Sequence, residues 1–403
     1  MLSAILPLTC LSVIAAAVTD KGCRISLNYK DGDLPEKQPL ILSPQDKNVI
    51  YPDQSYAIFM KSGEEIQLAC PGYGNYFENI GPRQQEVLVT CVGGKSFRSN
   101  HKVYTFTDLH CKEAPKHIAR RTPEKCLTRH SFYEVGFDLN DKFLRTLEIC
   151  RDERTLTTYY SKNIISKDIK FFQHSFPRPT HWQQGPFYPN VNMQSAYYYE
   201  NQIASFSRIL NSENLARKYF NKHYDYYLAR GHLTAKADYV FGAMQRTTFW
   251  YLNSAPQWQC FNAGNWNSIE SSVRDFIIKR GLKVEVYTGV HGQMTLPDIN
   301  GVRQKMFLHA DNKKKAIVVP KFYWKIIYYP EKELGIALIG LNNPFEKLSN
   351  EETYICPDIS SKINWVSWHP ENVTLGVSYA CKVNDLQAVV PTVPHLRISG
   401  VLL

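Results

Sequence analysis

The sequence predicts an α+β fold in which helices flank a central antiparallel sheet, preceded by a small β-rich domain. Three observations lead to this prediction. Residues 20–112 alternate short strand-like runs with Gly, Pro and Asp turns. Longer strand patterns begin at 143–150 and end with 335–340, and helical patterns lie between them at 194–219 and 266–277. A length of 403 residues suits two domains behind a leader.

Composition and charge argue against a disordered chain and favour a polyanionic partner. Hydrophobic residues make up 44% of the chain and aromatic residues 13%, which is enough for packed cores. The 47 basic and 37 acidic residues give a formal charge of +10, which favours a partner such as nucleic acid. A basic surface that only keeps a secreted protein soluble is the alternative.

The first residues form an apolar run, 1–18, that ends in Ala15-Ala16-Ala17. Such a run predicts a secretory signal peptide over residues 1–19, cut after Ala17 or Thr19, with a signal anchor as the alternative. The sequence shows no later stretch long enough to cross a bilayer. We therefore expect a secreted, extracellular protein with no membrane partner.

The cysteines also indicate an oxidising compartment. Cys10 lies in the predicted leader, so nine of the ten cysteines remain, without a Cys-x-x-Cys pair or zinc-finger spacing. Disulfides are therefore expected rather than metal ligation. The four cysteines before residue 112 predict two bridges, and Cys356–Cys381 is expected near the C-terminus. Cys260 is either a buried thiol or the partner of Cys150, and the odd count leaves one thiol free or bridged to another chain.

Composition shifts divide the chain into five predicted parts. These are the leader at 1–19, a structural or pro-domain at 20–112, a linker at 113–128, the main domain at 129–385 and a tail at 386–403. The linker is basic and contains Pro115 and Pro123, which is typical of an exposed segment. Its dibasic pair, Arg120-Arg121, is a candidate processing site that would release the main domain.

Strand and helix patterns follow in order. The N-terminal part shows strand patterns at 56–60, 65–69 and 86–90. The main domain shows a pair of strands at 143–150 and 155–160 joined by a charged turn, then an irregular loop at 176–192 and a helical stretch at 194–219. A strand-like run at 247–252 and four further strands follow, at 284–288, 316–319, 323–328 and 335–340. Lys313-Lys314-Lys315 is interpreted as a solvated basic turn rather than a substrate contact. Asn372-Val373-Thr374 is a glycosylation sequon.

The helix predicted from Trp266 carries the first candidate functional residues. At about 100° per residue, an apolar stripe that includes Ile269 and Val273 faces the core. Glu270 and Arg274 lie one turn apart beside the edge of this stripe, where they form either an ordinary surface pair or the wall of a cleft.

Residues outside this helix favour the cleft. Asn262 is predicted at the helix start, where N–H groups and the helix dipole favour phosphate, and its amide oxygen suits a hydrated Mg²⁺. Glu270 could then accept hydrogen bonds from metal-bound waters, and Arg274 could counter charge on phosphoryl oxygens. His232, flanked by Arg230, is suited to be a general base near neutral pH.

These residues form a pattern that resembles a known family. The motifs Arg230-Gly231-His232-Leu233-Thr234-Ala235-Lys236-Ala237-Asp238, Ala255-Pro256-Gln257 and Phe261-Asn262-Ala263-Gly264-Asn265-Trp266 with Glu270 resemble the signature of the DNA/RNA non-specific endonucleases. The resemblance covers roughly residues 130–385. The leader, the N-terminal module and the strand 320–325 resemble the secreted arthropod branch, which includes gut double-stranded ribonucleases and crustacean duplex-DNA nucleases.

The resemblance implies a ββα-metal nuclease core and a set of residue roles. His232 would be the general base, and Asn262 the direct protein ligand of hydrated Mg²⁺, with Mn²⁺ as a substitute. Glu270 would hold metal-bound waters, while Arg230 and Arg274 stabilise the transition state. Asn253 would orient the site and Arg151 would bind a further phosphate. The motif usually begins with Asp, whereas Ala229 occupies that position here.

The expected function is therefore secreted, Mg²⁺-dependent hydrolysis of double-stranded RNA and DNA to 5′-phosphorylated oligonucleotides, in a gut lumen or other digestive fluid. No organic cofactor is expected, and the oligomeric state is left open. Two alternatives remain: a duplex-DNA-preferring nuclease of the same family, and a nucleic-acid-binding protein with weak catalysis.

Overall fold

The structure, a computed structural model, describes residues 22–28, 32–34, 36–53, 55–174 and 181–403. The predicted leader at 1–19 lies outside the described residues. In the described part of the chain, none of the helices has the length and apolar character needed to span a membrane.

In its described residues the N-terminal module contains seven short strands, as its alternating pattern predicts. The strands are β1 Cys23–Ser26, β2 Leu40–Leu42, β3 Ala57–Met60, β4 Glu65–Ala69, β5 Glu86–Gly93, β6 Ser96–Ser99 and β7 Lys102–Thr105. A two-stranded sheet pairs β1 with β3, and a five-stranded sheet has the order β2-β4-β5-β6-β7. The small β-rich domain is thus confirmed.

Four disulfides join the described cysteines. Cys23–Cys91 and Cys70–Cys111 hold the N-terminal module, as its four cysteines predict. Cys356–Cys381 is confirmed near the C-terminus. Cys126–Cys150 is the fourth, so Cys260 is the buried free thiol and not the partner of Cys150.

The main domain is organised by a nine-stranded sheet with the order β21-β20-β19-β14-β11-β10-β9-β8, to which β22 adds a parallel edge beside β20. All other pairs are antiparallel. The strands are β8 Ile118–Cys126, β9 His130–Asp138, β10 Phe143–Asp152, β11 Thr157–Ser166, β14 Lys283–His291, β19 Phe322–Tyr329, β20 Leu334–Leu341, β21 Ser378–Cys381 and β22 Gly400–Val401. The predicted central antiparallel sheet is confirmed.

The segment predicted as a linker, 113–128, is instead largely strand β8. Because β8 is an edge strand with most side chains exposed, its charged residues face solvent and give the segment the composition of a loop. Pro123 is tolerated because the pairing with β9 shifts register between Arg121 and Lys125. Arg120 Nε donates to Glu134 Oε1 at 2.7 Å across the pair.

This placement changes the expectation for the dibasic pair. Since Arg120 and Arg121 are paired with β9, the folded protein should resist a dibasic-specific protease under conditions that fully cut the reduced, denatured chain. Gel analysis with N-terminal sequencing measures this. A fragment of the folded protein beginning at Thr122 would show that the pair is accessible in the native state, and it would restore the pro-domain hypothesis.

The N-terminal module packs on the main domain through one continuous apolar core. Gln173 Nε2 donates to the carbonyl of Leu27 at 3.0 Å, and the rings of Tyr51 and Phe241 stack with centroids 6.0 Å apart. Trp250 Nε1 donates to His117 Nδ1 at 2.9 Å, and burial lowers the pKa of His117 to about 4, so the ring stays neutral as an acceptor.

Helices cover the sheet between its strands. They are α1 Met193–Ala196, α2 Tyr199–Leu210, α3 Glu213–Tyr219, α4 Gly242–Arg246, α5 Gln259–Phe261, α6 Asn267–Arg280, α7 Asn350–Thr353 and α8 Val383–Val389. The helical stretch predicted at 194–219 is confirmed but divided, because Asn211 turns into the left-handed region and Ser212 caps α3. The predicted apolar stripe of α6 is buried, including Ile269 and Val273.

Three small sheets stand apart from the central one. They pair β12 Leu228–His232 with β13 Ser254–Trp258, β15 Thr295–Pro297 with β16 Arg303–Lys305, and β17 Phe307–Ala310 with β18 Lys315–Val318. The strand predicted at 316–319 therefore belongs to a hairpin and not to the central sheet. The predicted tail at 386–403 packs on the protein, with Val390 and Leu402 buried.

Candidate active site

His232 lies at the end of β12, which pairs antiparallel with β13. Its half-buried ring contacts Trp182 with centroids 4.6 Å apart and Phe249 with centroids 5.0 Å apart. These two rings restrict the imidazole to a narrow range of orientations. The strand-like run predicted at 247–252 is wrong: the strand that pairs with β12 is β13, which begins only at Ser254.

Asn253 holds the loop that follows His232. Its Nδ2 donates to the carbonyls of Thr234 at 2.9 Å and Thr248 at 3.0 Å, and its Oδ1 accepts from the Thr234 N–H at 3.0 Å. The side chain is fully buried, so it contacts no solvent or substrate. Asn253 thus fixes the backbone beside His232, which suits the predicted orienting role.

Asn262 does not begin the long helix, which corrects the sequence prediction. It follows the short turn α5, and the chain breaks at Gly264 before α6 begins at Asn267. A Cβ atom at Gly264 would lie 3.0 Å from the backbone and side chain of Leu375, so a larger residue there would require Leu375 to shift. Asn262 therefore belongs to a separate turn and does not lie at the N-terminus of α6, where the helix dipole would act on a ligand.

The structure brings four predicted residues to one open cleft of about 380 Å³. His232, Asn262, Glu270 and Arg274 all line it, although they come from β12, a turn and α6. Other lining residues include Phe172, His174, Lys236, Phe249 and Asn267. The helix pair Glu270 and Arg274 is thus part of a cleft wall and not an ordinary surface pair.

Two buried side chains, those of Asp238 and Lys325, lie next to the cleft residues Glu270 and Arg274. Arg274 Nη1 donates to Asp238 Oδ1 at 3.1 Å, which fixes the guanidinium. Lys325, only 1% exposed, donates from Nζ to Thr288 Oγ1 at 2.5 Å and interacts electrostatically with Asp238 and Glu270. Two acids and two cations therefore balance one another, which is what a buried charge cluster requires.

The environment of Glu270 changes its acidity. Burial, together with the nearby Asp238 carboxylate, raises the pKa of Glu270 to about 7, although Lys325 and Arg274 act to lower it. The carboxyl therefore changes its ionisation near neutral pH rather than in the acidic range usual for glutamate. A cation that binds beside this carboxyl lowers its pKa and favours the ionised form.

The donor set fits a hydrated divalent cation. Asn262 Nδ2 donates to Gln259 Oε1 at 3.1 Å, and among the described residues no group donates to Asn262 Oδ1, which leaves that oxygen for a ligand. The described chain contains no group of three His, Cys, Asp or Glu side chains placed to enclose a metal. One amide oxygen and one carboxylate in an open cleft instead suit Mg²⁺, which keeps most of its waters.

The raised pKa gives a testable pH dependence. Since Glu270 ionises only near pH 7, the affinity of the metal-free protein for Mg²⁺ should fall as the pH is lowered from 8 to 6. Calorimetric titration at several pH values measures this. Glu270→Gln should flatten the dependence, and Lys325→Met should move the midpoint to higher pH because a cation that lowers the Glu270 pKa is lost. A pH-independent affinity in the wild type would contradict the assignment.

Arg230 and Arg151 lie outside the cleft lining, which differs from the roles that the resemblance implies. Arg230 Nε donates to the Tyr251 hydroxyl at 3.2 Å, and its guanidinium lies 5.2 Å from the Tyr197 ring. Arg151 is 1% exposed and lies 4.3 Å from the Tyr188 ring. Its Nε and Nη2 have no hydrogen-bond partner among the described residues. Both arginines therefore belong to an aromatic cluster beside His232.

Ala229, which replaces the usual Asp of the motif, lies opposite Gln257 in the β12–β13 pair. Gln257 is fully buried, and its amide oxygen and nitrogen have no hydrogen-bond partner among the described residues. A carboxylate at position 229 would therefore lie beside an amide that could donate to it. The neighbouring Gly231 has no room for a Cβ atom, which would lie 2.4 Å from Gln257 Oε1.

Sequence reasoning missed Lys325 and Trp182 as parts of the site. Lys325 is the single charged residue in the apolar strand Phe322–Tyr329, and a charge in such a strand is a signal of a buried partner. Trp182 comes from the irregular loop, whose path the sequence pattern does not specify. Asp238 lay inside the quoted motif, but no role was assigned to it.

A sequence model of the DNA/RNA non-specific endonuclease family matches residues 129–386. Among curated proteins, a salivary endonuclease of Lutzomyia longipalpis is 28% identical over 377 residues, which cover 92% of this chain and 83% of that protein. Salivary protein Tsal2A of Glossina morsitans morsitans is 26% identical over 384 residues, 94% of each chain.

Among solved structures, a chain of the EndoG/EndoGI complex aligns with 64% of this chain and 87% of its own length. The TM-score is 0.34 and the sequence identity 15%.

Proposed function

This chain belongs to the DNA/RNA non-specific endonuclease family, and from that membership we propose a secreted, Mg²⁺-dependent nuclease that cuts double-stranded RNA and DNA to 5′-phosphorylated oligonucleotides. The observation that carries the proposal is the convergence of His232, Asn262, Glu270 and Arg274 on one open cleft. The cleft is formed by groups that suit a base, a hydrated cation and a phosphate.

His232 removes the proton from the attacking water. The oxygen of that water bonds to phosphorus as the bond to the 3′ oxygen breaks, and the departing oxygen takes its proton from solvent. Trp182 and Phe249 hold the imidazole ring, so its nitrogen is aimed before the substrate arrives. The side chain belongs to a short strand whose following loop Asn253 fixes, so the base is positioned by buried structure.

The residues of the cleft wall stabilise the negative charge of the phosphoryl group. Asn262 and Glu270 would hold the cation with its waters, and Mg²⁺, when bound, would supply Lewis-acid stabilisation of the phosphoryl group and of the leaving oxygen. Arg274 presents its guanidinium to the phosphoryl oxygens, held from behind by Asp238 at 3.1 Å. Arg230 and Arg151 lie within the aromatic cluster beside His232, so we assign them to positioning that region rather than to direct contact with the scissile phosphate.

This chemistry needs no 2′-hydroxyl, because water is the nucleophile. RNA and DNA are therefore both substrates, and we place double-stranded RNA first and duplex DNA second by the resemblance to the secreted arthropod branch. A protein that binds nucleic acid with weak catalysis is the competing function, and Ala229 in place of the usual Asp is the feature that favours it.

Secretion is supported by the four disulfides, which suit an oxidising compartment, and by the salivary origin stated for the relatives. The sequon residue Asn372 is exposed, which suits attachment of an oligosaccharide. We propose that this residue is glycosylated.

The proposed function is tested by digestion of double-stranded RNA, single-stranded RNA, double-stranded DNA and single-stranded DNA with purified protein, with Mg²⁺ and with EDTA. We expect cleavage of both duplexes with Mg²⁺ and none in EDTA. Cleavage that survives the chelator would exclude the metal assignment. Binding without cleavage of all four substrates would favour the competing function.

A further inference from the structure

The β17–β18 hairpin carries a basic tip that the cleft chemistry does not use. We call residues Phe307–Val318 the lysine hairpin, after Lys313, Lys314 and Lys315 at its tip. Among the described residues none of these lysines forms an ion pair with an acid. The carboxylate of Asp311 instead accepts hydrogen bonds from the N–H groups of Lys313 at 2.8 Å and Lys314 at 2.7 Å.

The tip is therefore an ordered turn and not a loose basic loop. The Asp311 N–H also donates to the Lys314 carbonyl at 2.9 Å, which closes the turn. At the base of the hairpin, the Ala310 N–H donates to Ser205 Oγ at 3.2 Å, and Arg208 donates to the Ala310 carbonyl at 3.3 Å. Helix α2 thus holds the hairpin in place and adds the exposed cation Arg208 beside it.

A row of contacting aromatic side chains connects His232 to this hairpin beneath the surface, with Tyr251 and Tyr188 buried. The His232 ring contacts Trp182, the Trp182 ring lies 5.6 Å from Tyr251, and Tyr251 lies 6.3 Å from Tyr188. The residue after Tyr188 is Pro189, and its carbonyl accepts a hydrogen bond from Lys314 Nζ at 3.3 Å. The lysine hairpin is therefore connected to the active-site histidine by packed rings.

The spacing suits phosphates beyond the scissile bond. The ring-to-ring steps of 4.6 to 6.3 Å set an upper limit on the separation of His232 and the hairpin. Because one nucleic-acid strand advances about 3.4 Å per nucleotide, this limit corresponds to several nucleotides. Tyr198, the residue before α2, is 53% exposed. Ammonium groups carried on an ordered turn at this range bind a phosphate backbone without reading sequence.

We propose that the lysine hairpin binds the phosphates of the substrate strand several nucleotides from the cut, and so extends the substrate track beyond the cleft. The inference rests on the proposed nuclease function and adds a second binding region to it. Because the contact is electrostatic and remote from the reacting atoms, it contributes to substrate binding and not to the rate of the chemical step.

The test uses the full-length protein with Lys313→Gln/Lys315→Gln, two exposed lysines whose side chains are not needed for the turn. The matched control is Lys61→Gln/Lys332→Gln, which removes the same charge from exposed positions elsewhere. Cleavage is measured on a long duplex and on a duplex too short to reach the hairpin, each at several salt concentrations.

On the long duplex we expect the hairpin variant to raise KM roughly 3- to 10-fold without changing kcat, and to reduce the salt slope by about 2 relative to the wild type. On the short duplex the hairpin variant should have the same KM and kcat as the wild type. The control variant should have wild-type KM and kcat on both duplexes. Equal effects of the two variants, an equal effect on both substrates, or a loss confined to kcat would overturn the proposal. Failure of the wild type to cut any nucleic acid would instead refute the proposed function.

Discussion

Replacing His232 with Ala is expected to lower kcat on double-stranded RNA or DNA by at least ~10²-fold while binding changes little, because a general base contributes about 10²- to 10⁴-fold to such a reaction. The imidazole packs against Trp182 and Phe249, so its removal leaves a gap beside these two rings. Initial rates and a filter-binding assay measure the two effects separately.

Two controls make this prediction specific. His223→Ala removes an exposed histidine that contacts Tyr224 away from the cleft, and should leave kcat unchanged. Free imidazole should restore part of the activity of His232→Ala, because it can occupy the gap beside Trp182. Full activity of His232→Ala, or equal losses in the two variants, would remove His232 from the role of base.

Replacing Asn262 with Ala is expected to have the second large effect. At a Mg²⁺ concentration that saturates the wild type, activity should fall by at least ~10²-fold, because the cation supplies several kcal/mol to phosphoryl transfer. The variant should also bind Mg²⁺ more weakly in a calorimetric titration. High Mg²⁺ should recover part of the activity, since the site loses affinity rather than its chemistry.

The matched variants distinguish ligation from local structure. Asn262→Asp keeps an oxygen at the same position and should retain measurable Mg²⁺ binding. Asn267→Ala changes another residue of the same cleft and should leave Mg²⁺ affinity unchanged. Wild-type affinity in Asn262→Ala would show that the ligand lies elsewhere.

The sequence pattern predicted those parts of the site that short-range rules determine. Glu270 and Arg274 follow from helical spacing, and the buried Ile269 and Val273 show that the predicted face of α6 was right. The proximity of Asn262, Glu270 and Arg274 to His232 was predicted from the family motif and not from periodicity, because thirty or more residues separate them from His232. Local patterns carry no information on such contacts.

The wrong predictions have a common physical cause. Strand β8 was interpreted as a linker because an edge strand with solvent on one face has the composition of a loop. Asn262 was placed at a helix start because local sequence does not show the break at Gly264, where the chain packs against the sequence-distant Leu375. Lys325 was missed because its partners, Asp238 and Glu270, come from other elements. In each case the structure depends on contacts between residues that are far apart in the sequence.

In the proposed mechanism, water attacks phosphorus with His232 as the base beside a hydrated cation. The product ends formed from a defined double-stranded RNA in Mg²⁺, identified by mass spectrometry, show which atom attacked. We expect 5′-phosphate and 3′-hydroxyl termini from the wild type, and almost no product from His232→Ala. Products that end in 2′,3′-cyclic phosphate and 5′-hydroxyl would contradict this mechanism, because they require the 2′-hydroxyl as nucleophile.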